Sequence, residues 1–399
     1  MNRTLMSALV ALSLTSIGLP NSASAKCRTG NFQGWLADVK RQAAAKGISR
    51  YAINSALNGV RYDPDVVRRD NAQGVFSQTY LQFAGRMVSA YRLRKGKQLI
   101  IKYRRTFSEI KRRYGVPAPV ITAFWGLETD FGAVLGKSST LRSLATLAYD
   151  CRRSELFHKE LFSALKIIDR GDLSARQMHG PWAGELGQLQ FLPSHYLHYG
   201  VDMDRDGHVN LLKSAPDALA SAAKYIQSLG WRRGEPWLQE VRTPRSMNWA
   251  QASVHIAHSR AQWAKWGLRR ANGRPLRADG LKAALVLPMG KDGPAFLAYS
   301  NFTKVYLKWN HSLTYGLTAG YFATRLAGAR KINPGRGARG LKYAQIKQLQ
   351  RLLQRRGFDV GKIDGILGSK SRAAIRKMQR KYQLAVDAYP TRELLAQMR

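Results

Sequence analysis

Apolar positions recur at helical spacing along most of the chain. Residues 30–114 read as mainly helical. Phe32-Gln33-Gly34-Trp35-Leu36 opens one segment, 78–88 carries another, and 91–114 forms a third that is dense in Lys and Arg. Helical periodicity resumes over 117–130, 154–168 and 215–229. The stretch 281–301 differs. Ala284-Leu285-Val286-Leu287, a Lys291-Asp292-Gly293 turn and Ala295-Phe296-Leu297-Ala298 predict a β-hairpin. A further helix is expected through Tyr306 and into 318–326. Residues 328–340 combine Gly, Pro and charge without an apolar period, which predicts a flexible linker. Beyond it, 341–399 has the size of a small separate domain, with Ile346, Leu349, Leu352 and Leu353 on one helix and Ala374, Ile375 and Met378 on another.

The first 25 residues have a different pattern. Arg3, an apolar run over 5–17 and Ala23-Ser24-Ala25 before Lys26 predict a secretory signal peptide, removed to leave a periplasmic protein. The run is too short to span a bilayer, and no later stretch reaches about 20 uninterrupted apolar residues. The 399 residues carry 65 Lys+Arg against 25 Asp+Glu, a net charge of +40. Such an excess points to a polyanionic partner. Export excludes genomic nucleic acid and leaves anionic polymers of the cell envelope. With 45% hydrophobic residues the chain is no disordered tail. Its two cysteines, Cys27 and Cys151, are expected to form one disulfide in an oxidising compartment, the alternative being two thiols. Neither belongs to a C-x-x-C pair, so a zinc or redox site is unsupported.

Candidate chemistry concentrates in two segments. In a helix over 117–130, Glu128 falls one turn beyond Phe124 and two beyond Ile121, which places a carboxyl on an apolar stripe near the C-terminal end. Burial and the helix dipole both disfavour the anion there, and a carboxylic acid kept protonated is what a general acid requires. A Glu satisfied by a backbone donor or an Arg would fit the helix equally well. Asp130 points to another face. The next acid, Glu185, lies in Trp182-Ala183-Gly184-Glu185-Leu186-Gly187-Gln188-Leu189-Gln190-Phe191-Leu192-Pro193-Ser194. Its glycines permit close approach, while Gln188, Gln190 and Ser194 are neutral hydrogen-bonders suited to sugar hydroxyl and acetamido groups. Together the segments suggest a carbohydrate cleft with a single strong acid.

These residues resemble a known family. Glu128-Thr129-x-Phe131-Gly132, followed by Gly184-x-x-Gly187-x-x-Gln190-Phe191-x-Pro193-Ser194, resembles the membrane-bound-lytic-transglycosylase-B family of murein-degrading enzymes. Asp206-Gly207-His208-Val209-Asn210-Leu211 and Trp309-Asn310 stand in the family's order, and the likeness covers roughly 30–327. The tail looks like a peptidoglycan-binding type 1 domain through Leu349-Gln350, Gly357-Phe358, Asp364-Gly365-x-x-Gly368, Ala374-Ile375 and Met378-Gln379. The resemblance implies a mainly α (α+β) chain with a lysozyme-like transglycosylase domain over 26–327, a small β-hairpin insertion, and a three-helix module over 341–399. It implies a monomeric lyase on peptidoglycan glycan strands, with Glu128 as sole acid/base and no required cofactor. Gln190, Trp309 and Asn310 carry over as glycan-binding positions, with Glu185 and Ser194 as further candidates. Pro181 departs from the family's Ser, thought to orient the acid. A hydrolytic muramidase using Glu185 or Asp130 on a water, and a non-catalytic wall-binding protein, are the alternatives.

One motif points to a metal. Asp202-x-Asp204-x-Asp206-Gly207-His208-x-Asn210 opens like an EF-hand loop, but Lys213 stands where the bidentate acid belongs. Asp202, Asp204 and Asp206 are the expected calcium ligands, with Asp217 as a displaced one; an Asx-rich turn is the other reading. Gly132-Ala133-Val134-Leu135-Gly136-Lys137-Ser138 has one residue too few between its glycines for a phosphate loop.

Overall fold

The computed structural model describes residues 31–71, 78–337 and 340–399. The predicted signal segment and Cys27 lie outside the described residues; Cys151 itself is disulfide-bonded. The chain forms two compact units, Met1–Gln73 with Arg94–Ser228 and Gly74–Leu93 with Leu229–Arg399.

The first unit is organised about the helix Ala118–Thr129. Gly115 takes φ 73, which closes the preceding helix Arg104–Tyr114 in the left-handed region that glycine enters without cost. Pro117 and Pro119 then occupy the start of the next helix, where a missing N–H removes no bond. Burial here goes beyond the expected apolar stripe. Every residue from Val120 to Thr129 is buried, so this helix is enclosed on all sides. Arg104–Tyr114 and Ala215–Ser228 pack against it, while Thr140–Tyr149 packs on Ser154–Asp169. Phe32, Trp35, Tyr62 and Tyr149 form an aromatic cluster with tilted and edge-on rings. The segment expected as one basic helix is two, Ala90–Lys102 and Arg104–Tyr114, broken at Tyr103. A two-stranded sheet pairs β1 (Ser138–Ser139) with β2 (His179–Gly180).

The second unit holds a five-stranded antiparallel sheet made from β3 (Leu238–Arg242), β4 (Ala257–Ser259), β5 (Arg269–Arg270), β6 (Lys282–Val286) and β7 (Ala295–Tyr299). Their order is β4-β6-β7-β3-β5. The predicted hairpin is its centre, with Leu285 opposite Leu297. β7 is buried on both faces, which explains its continuous apolar run. One face packs on Trp249, Trp263 and Leu276. Phe296, on the same strand, meets the ring of Tyr80 edge-on.

Residues 341–399 form three helices, Tyr343–Arg355, Ser369–Lys381 and Arg392–Gln397, around Leu349, Leu353, Ile375, Leu394 and Met398. Gln350 is the polar pin of this core. Its Nε2 donates to the carbonyls of Lys362 and Ile366 at 3.3 and 3.0 Å, and its Oε1 accepts from Gly365 N at 2.8 Å. That accounts for the Leu-Gln and Asp-Gly pairs in the sequence. Arg372 reaches the carbonyl of Pro288 at 3.3 Å, Arg376 those of Ala250 and Ala252, and Asp387 Oδ2 accepts from Lys291 N at 2.9 Å. The expected linker is also tied down: Asn333 N donates to Glu240 Oε1 at 2.7 Å and Arg336 N to the carbonyl of Asp292 at 2.6 Å. Its bonds run mainly through backbone groups, which leave no trace in apolar periodicity.

Gly290, at the tip of the hairpin, has φ 73, and a Cβ there would lie 2.7 Å from Asp387 Oδ2 and 2.8 Å from Tyr389 Cβ. Gly290→Ala should cost about 2 kcal/mol in urea denaturation, through backbone strain and overpacking. Gly280→Ala, where nothing lies within 4 Å, should change stability by less than about 0.5 kcal/mol.

Candidate active site

The enclosed helix ends abruptly. Asp130, Phe131 and Gly132 have φ of 52, 63 and 83, three consecutive left-handed residues. For an aromatic residue this conformation costs about 1–2 kcal/mol. Phe131 is buried with its ring edge-on to Trp125 at 5.6 Å, a contact that offsets part of the strain. Glu128 lies in the last turn of this helix and is 7% exposed.

A tight turn over 184–191 is bolted to the same helix end. Leu186 and Phe191 exchange both backbone hydrogen bonds, at 2.7 and 2.9 Å. Side chains are excluded at Gly184 and Gly187, since a Cβ would fall 2.3 Å from Leu144 Cδ2 and 2.7 Å from the Leu211 carbonyl. Gln188 is the bolt. Its Oε1 accepts from Trp125 Nε1 at 2.9 Å, its carbonyl accepts from Thr129 Oγ1 at 2.6 Å, and its Nε2 donates to the Leu212 carbonyl at 3.1 Å. Thr129 Oγ1 also accepts from Gly132 N at 2.9 Å, which fixes the left-handed exit. Gln188 is therefore occupied by protein partners, contrary to its reading as a sugar contact. Nothing in the spacing separated its role from that of Gln190.

Gln190 holds φ 53, a strained value of the kind that collects at functional sites, and its Nε2 donates to the Gly187 carbonyl at 2.9 Å. Ser194 is occupied differently from its expected role. Its N and Oγ donate to Glu160 at 2.8 and 2.7 Å, so a buried carboxylate holds the first turn of the helix Pro193–Tyr199. Glu185 is 7% exposed, and burial raises its pKa to about 7 against the opposing pulls of a hydrogen bond from its own backbone N–H and of Arg153. An enclosed acid of this kind is poorly placed to activate a bulk water. Trp309 and Asn310 belong to the second unit. They follow a π-helical turn, Phe302–Tyr306, and Asn310 is buried with its Oδ1 accepting from Ser312 N at 2.9 Å.

The acidic loop differs from the expected ligand set. Among the described residues the converging carboxylates are Asp202, Asp204 and Asp217, each with an oxygen within 4.8 Å of the others. Asp206 instead accepts from His208 N at 2.9 Å within its own turn. Asp217 reaches back from Ala215–Ser228, where desolvation raises its pKa. Three clustered carboxylates are a hard-oxygen donor set of the kind calcium takes.

An enclosed helix that ends in a buried acid, clamped by a Gly-rich turn, within a mostly helical lysozyme-like unit, defines a peptidoglycan-cleaving enzyme of the lytic transglycosylase class. The chain belongs to the transglycosylase SLT domain family, matched over residues 31–324, and residues 342–398 match a peptidoglycan binding domain. It is similar to SltB3 of Pseudomonas aeruginosa in complex with NAG-anhNAM-pentapeptide, at 38% identity and TM-score 0.85, covering 93% of this chain and all of that one. Membrane-bound lytic murein transglycosylase B of Escherichia coli is 29% identical over 254 residues, 63% of this chain and 68% of that protein. The Escherichia coli lytic transglycosylase Slt35 in complex with calcium is 27% identical with TM-score 0.62, covering 73% of this chain and 92% of its own.

Gln188→Ala leaves Trp125 Nε1 without its acceptor. Stability should fall by about 1–3 kcal/mol. In assays on isolated sacculi kcat should drop more than KM rises, because the helix end that carries Glu128 loosens.

Proposed function

We propose that Glu128 is the single acid/base of a non-hydrolytic cleavage of the MurNAc-GlcNAc β-1,4 bond. Its carboxylic acid gives a proton to the bridging oxygen as the bond from MurNAc C1 to that oxygen breaks. The substrate's N-acetyl group helps to hold the positive charge at C1. The Glu128 carboxylate then takes the proton of the MurNAc C6 hydroxyl, whose oxygen bonds to C1 and closes a 1,6-anhydro ring. Atoms and protons balance with no water consumed, and the acid returns to its starting form. The observation that carries this reading is a carboxyl on the last turn of an enclosed helix. The complex of the Pseudomonas aeruginosa relative with NAG-anhNAM-pentapeptide supports the same outcome. Gln190, Trp309 and Asn310 are assigned to the glycan, and the 341–399 module to holding the wall.

The surrounding assignments rest on the same reading. The 1–25 segment directs export and is removed, and the mature protein acts in the periplasm as a monomer. Cys27 pairs with Cys151. No helix among the described residues is long and apolar enough to cross a membrane. The positive charge favours anionic envelope polymers, with binding weakened by salt. Asp202, Asp204 and Asp217 would hold a calcium ion in a structural role, as a charge that offsets three acids. Calcium with the Escherichia coli relative supports this assignment.

Glu128→Gln should reduce turnover by about 10³-fold or more while sacculus pull-down is unchanged. Mass spectrometry of wild-type digests should find muropeptides one water lighter than reducing-end products; reducing ends would convert the assignment to a muramidase. Calcium should raise the melting temperature of the wild type in differential scanning fluorimetry, and the increase should vanish in Asp217→Asn. An equal rise in both proteins would remove Asp217 from the ligand set.

A further inference from the structure

Glu185 is a buried acid of the first unit that the reaction proposed above does not use. It sits inside the 184–191 turn, is buried, and its Oε2 has no hydrogen-bond partner among the described residues. The backbone approaches it closely, since a Cβ on Gly180 would lie 1.9 Å from the Glu185 carbonyl oxygen. The cation acting on it is Arg153, one terminal nitrogen of which is paired with buried Asp70 while its Nε has no hydrogen-bond partner among the described residues. The turn that holds this carboxyl also holds Gln188, and through it Trp125 and Thr129 on the helix of Glu128.

We propose that Glu185 is a positioning residue that keeps the 184–191 turn closed on the helix of Glu128 only while it carries its proton, so that it sets the alkaline limit of the reaction. Losing the proton places a negative charge in an enclosed site that offers Oε2 no donor. The nearest relief is to open the turn, which withdraws the Gln188 bolt from Trp125 and Thr129 and lets the Glu128 turn move. Charged and titratable groups on the elements packed about the turn are Glu128 and Asp130 on the enclosed helix and its cap, and Arg142 on Thr140–Tyr149. His179 on β2, Tyr149 at the end of Thr140–Tyr149, Glu160 bonded to Ser194, and Lys213 beyond Leu211-Leu212 lie there too, besides Arg153. Of these, Arg153 acts on Glu185 in the direction of ionisation, and burial outweighs it.

The linkage has a definite sign. The folded protein holds this proton up to about pH 7, whereas an exposed glutamate releases it near 4.5. The folded state therefore binds more protons between those values, and stability falls as pH rises through that window.

The test compares wild type with Glu185→Gln in the full chain. The pH profile of kcat/KM on sacculi should lose activity above about pH 7 in the wild type, with the falling limb displaced upward by about one pH unit or more in Glu185→Gln. The melting temperature of Glu185→Gln minus that of wild type should rise between about pH 5 and pH 8. Carboxyl carbon NMR of glutamate-labelled wild type reads the proton directly and serves even if the Gln variant folds poorly. Titration of Glu185 near its ordinary 4.5, or an alkaline limb unmoved by the substitution, overturns the proposal. Because the inference rests on the transglycosylase reading only for its rate assay, the NMR and melting results stand or fall separately from the nature of the product.

Discussion

The fit between Gln188 and the end of the Ala118–Thr129 helix is the interaction on which the candidate site depends. One buried amide accepts from the indole of Trp125, donates to the Leu212 carbonyl, and offers its backbone carbonyl to Thr129. In a low-dielectric interior each of these bonds is costly to leave unmade. The arrangement thus selects one geometry for the helix end and the turn together. The left-handed run Asp130-Phe131-Gly132 becomes tolerable because that geometry is already fixed from the other side.

Much of the helical architecture was legible from spacing alone, since helices such as Ser154–Asp169 bury one face and leave Glu155, Lys159 and Lys166 exposed on the other. The hairpin was legible because β6 and β7 bury continuous apolar runs around a Lys-Asp-Gly turn. β3, β4 and β5 were not. They are short, carry Glu240, Arg242 and His258, and join the sheet through backbone bonds that no side-chain period records. The break at Tyr103 was equally silent, because an ordinary residue carries it without Gly or Pro.

Within the site, residue type reveals less than partner. Glu128 stood out because a carboxyl interrupts an apolar helix, and it is buried there. Ser194 and Gln188 matched the pattern of sugar contacts, yet their polar atoms serve Glu160 and Trp125, partners 34 and 63 residues away in sequence. The acidic loop shows the same limit. Asp217, in the first turn of Ala215–Ser228, joins Asp202 and Asp204, while Asp206 closes its own turn. The motif's spacing ranked Asp206 ahead of Asp217, which it offered only as a displaced ligand, because spacing does not record how the chain returns.

The seam between the hairpin region and the C-terminal helices has an evolutionary corollary. Arg372 and Arg376 grip Pro288, Ala250 and Ala252 by their carbonyl oxygens, which every amino acid possesses. The gripped segments are therefore free to drift in side-chain identity so long as the backbone path is kept, whereas the two arginines are not. Divergent descendants should keep a guanidinium on one side of this seam and vary freely on the other.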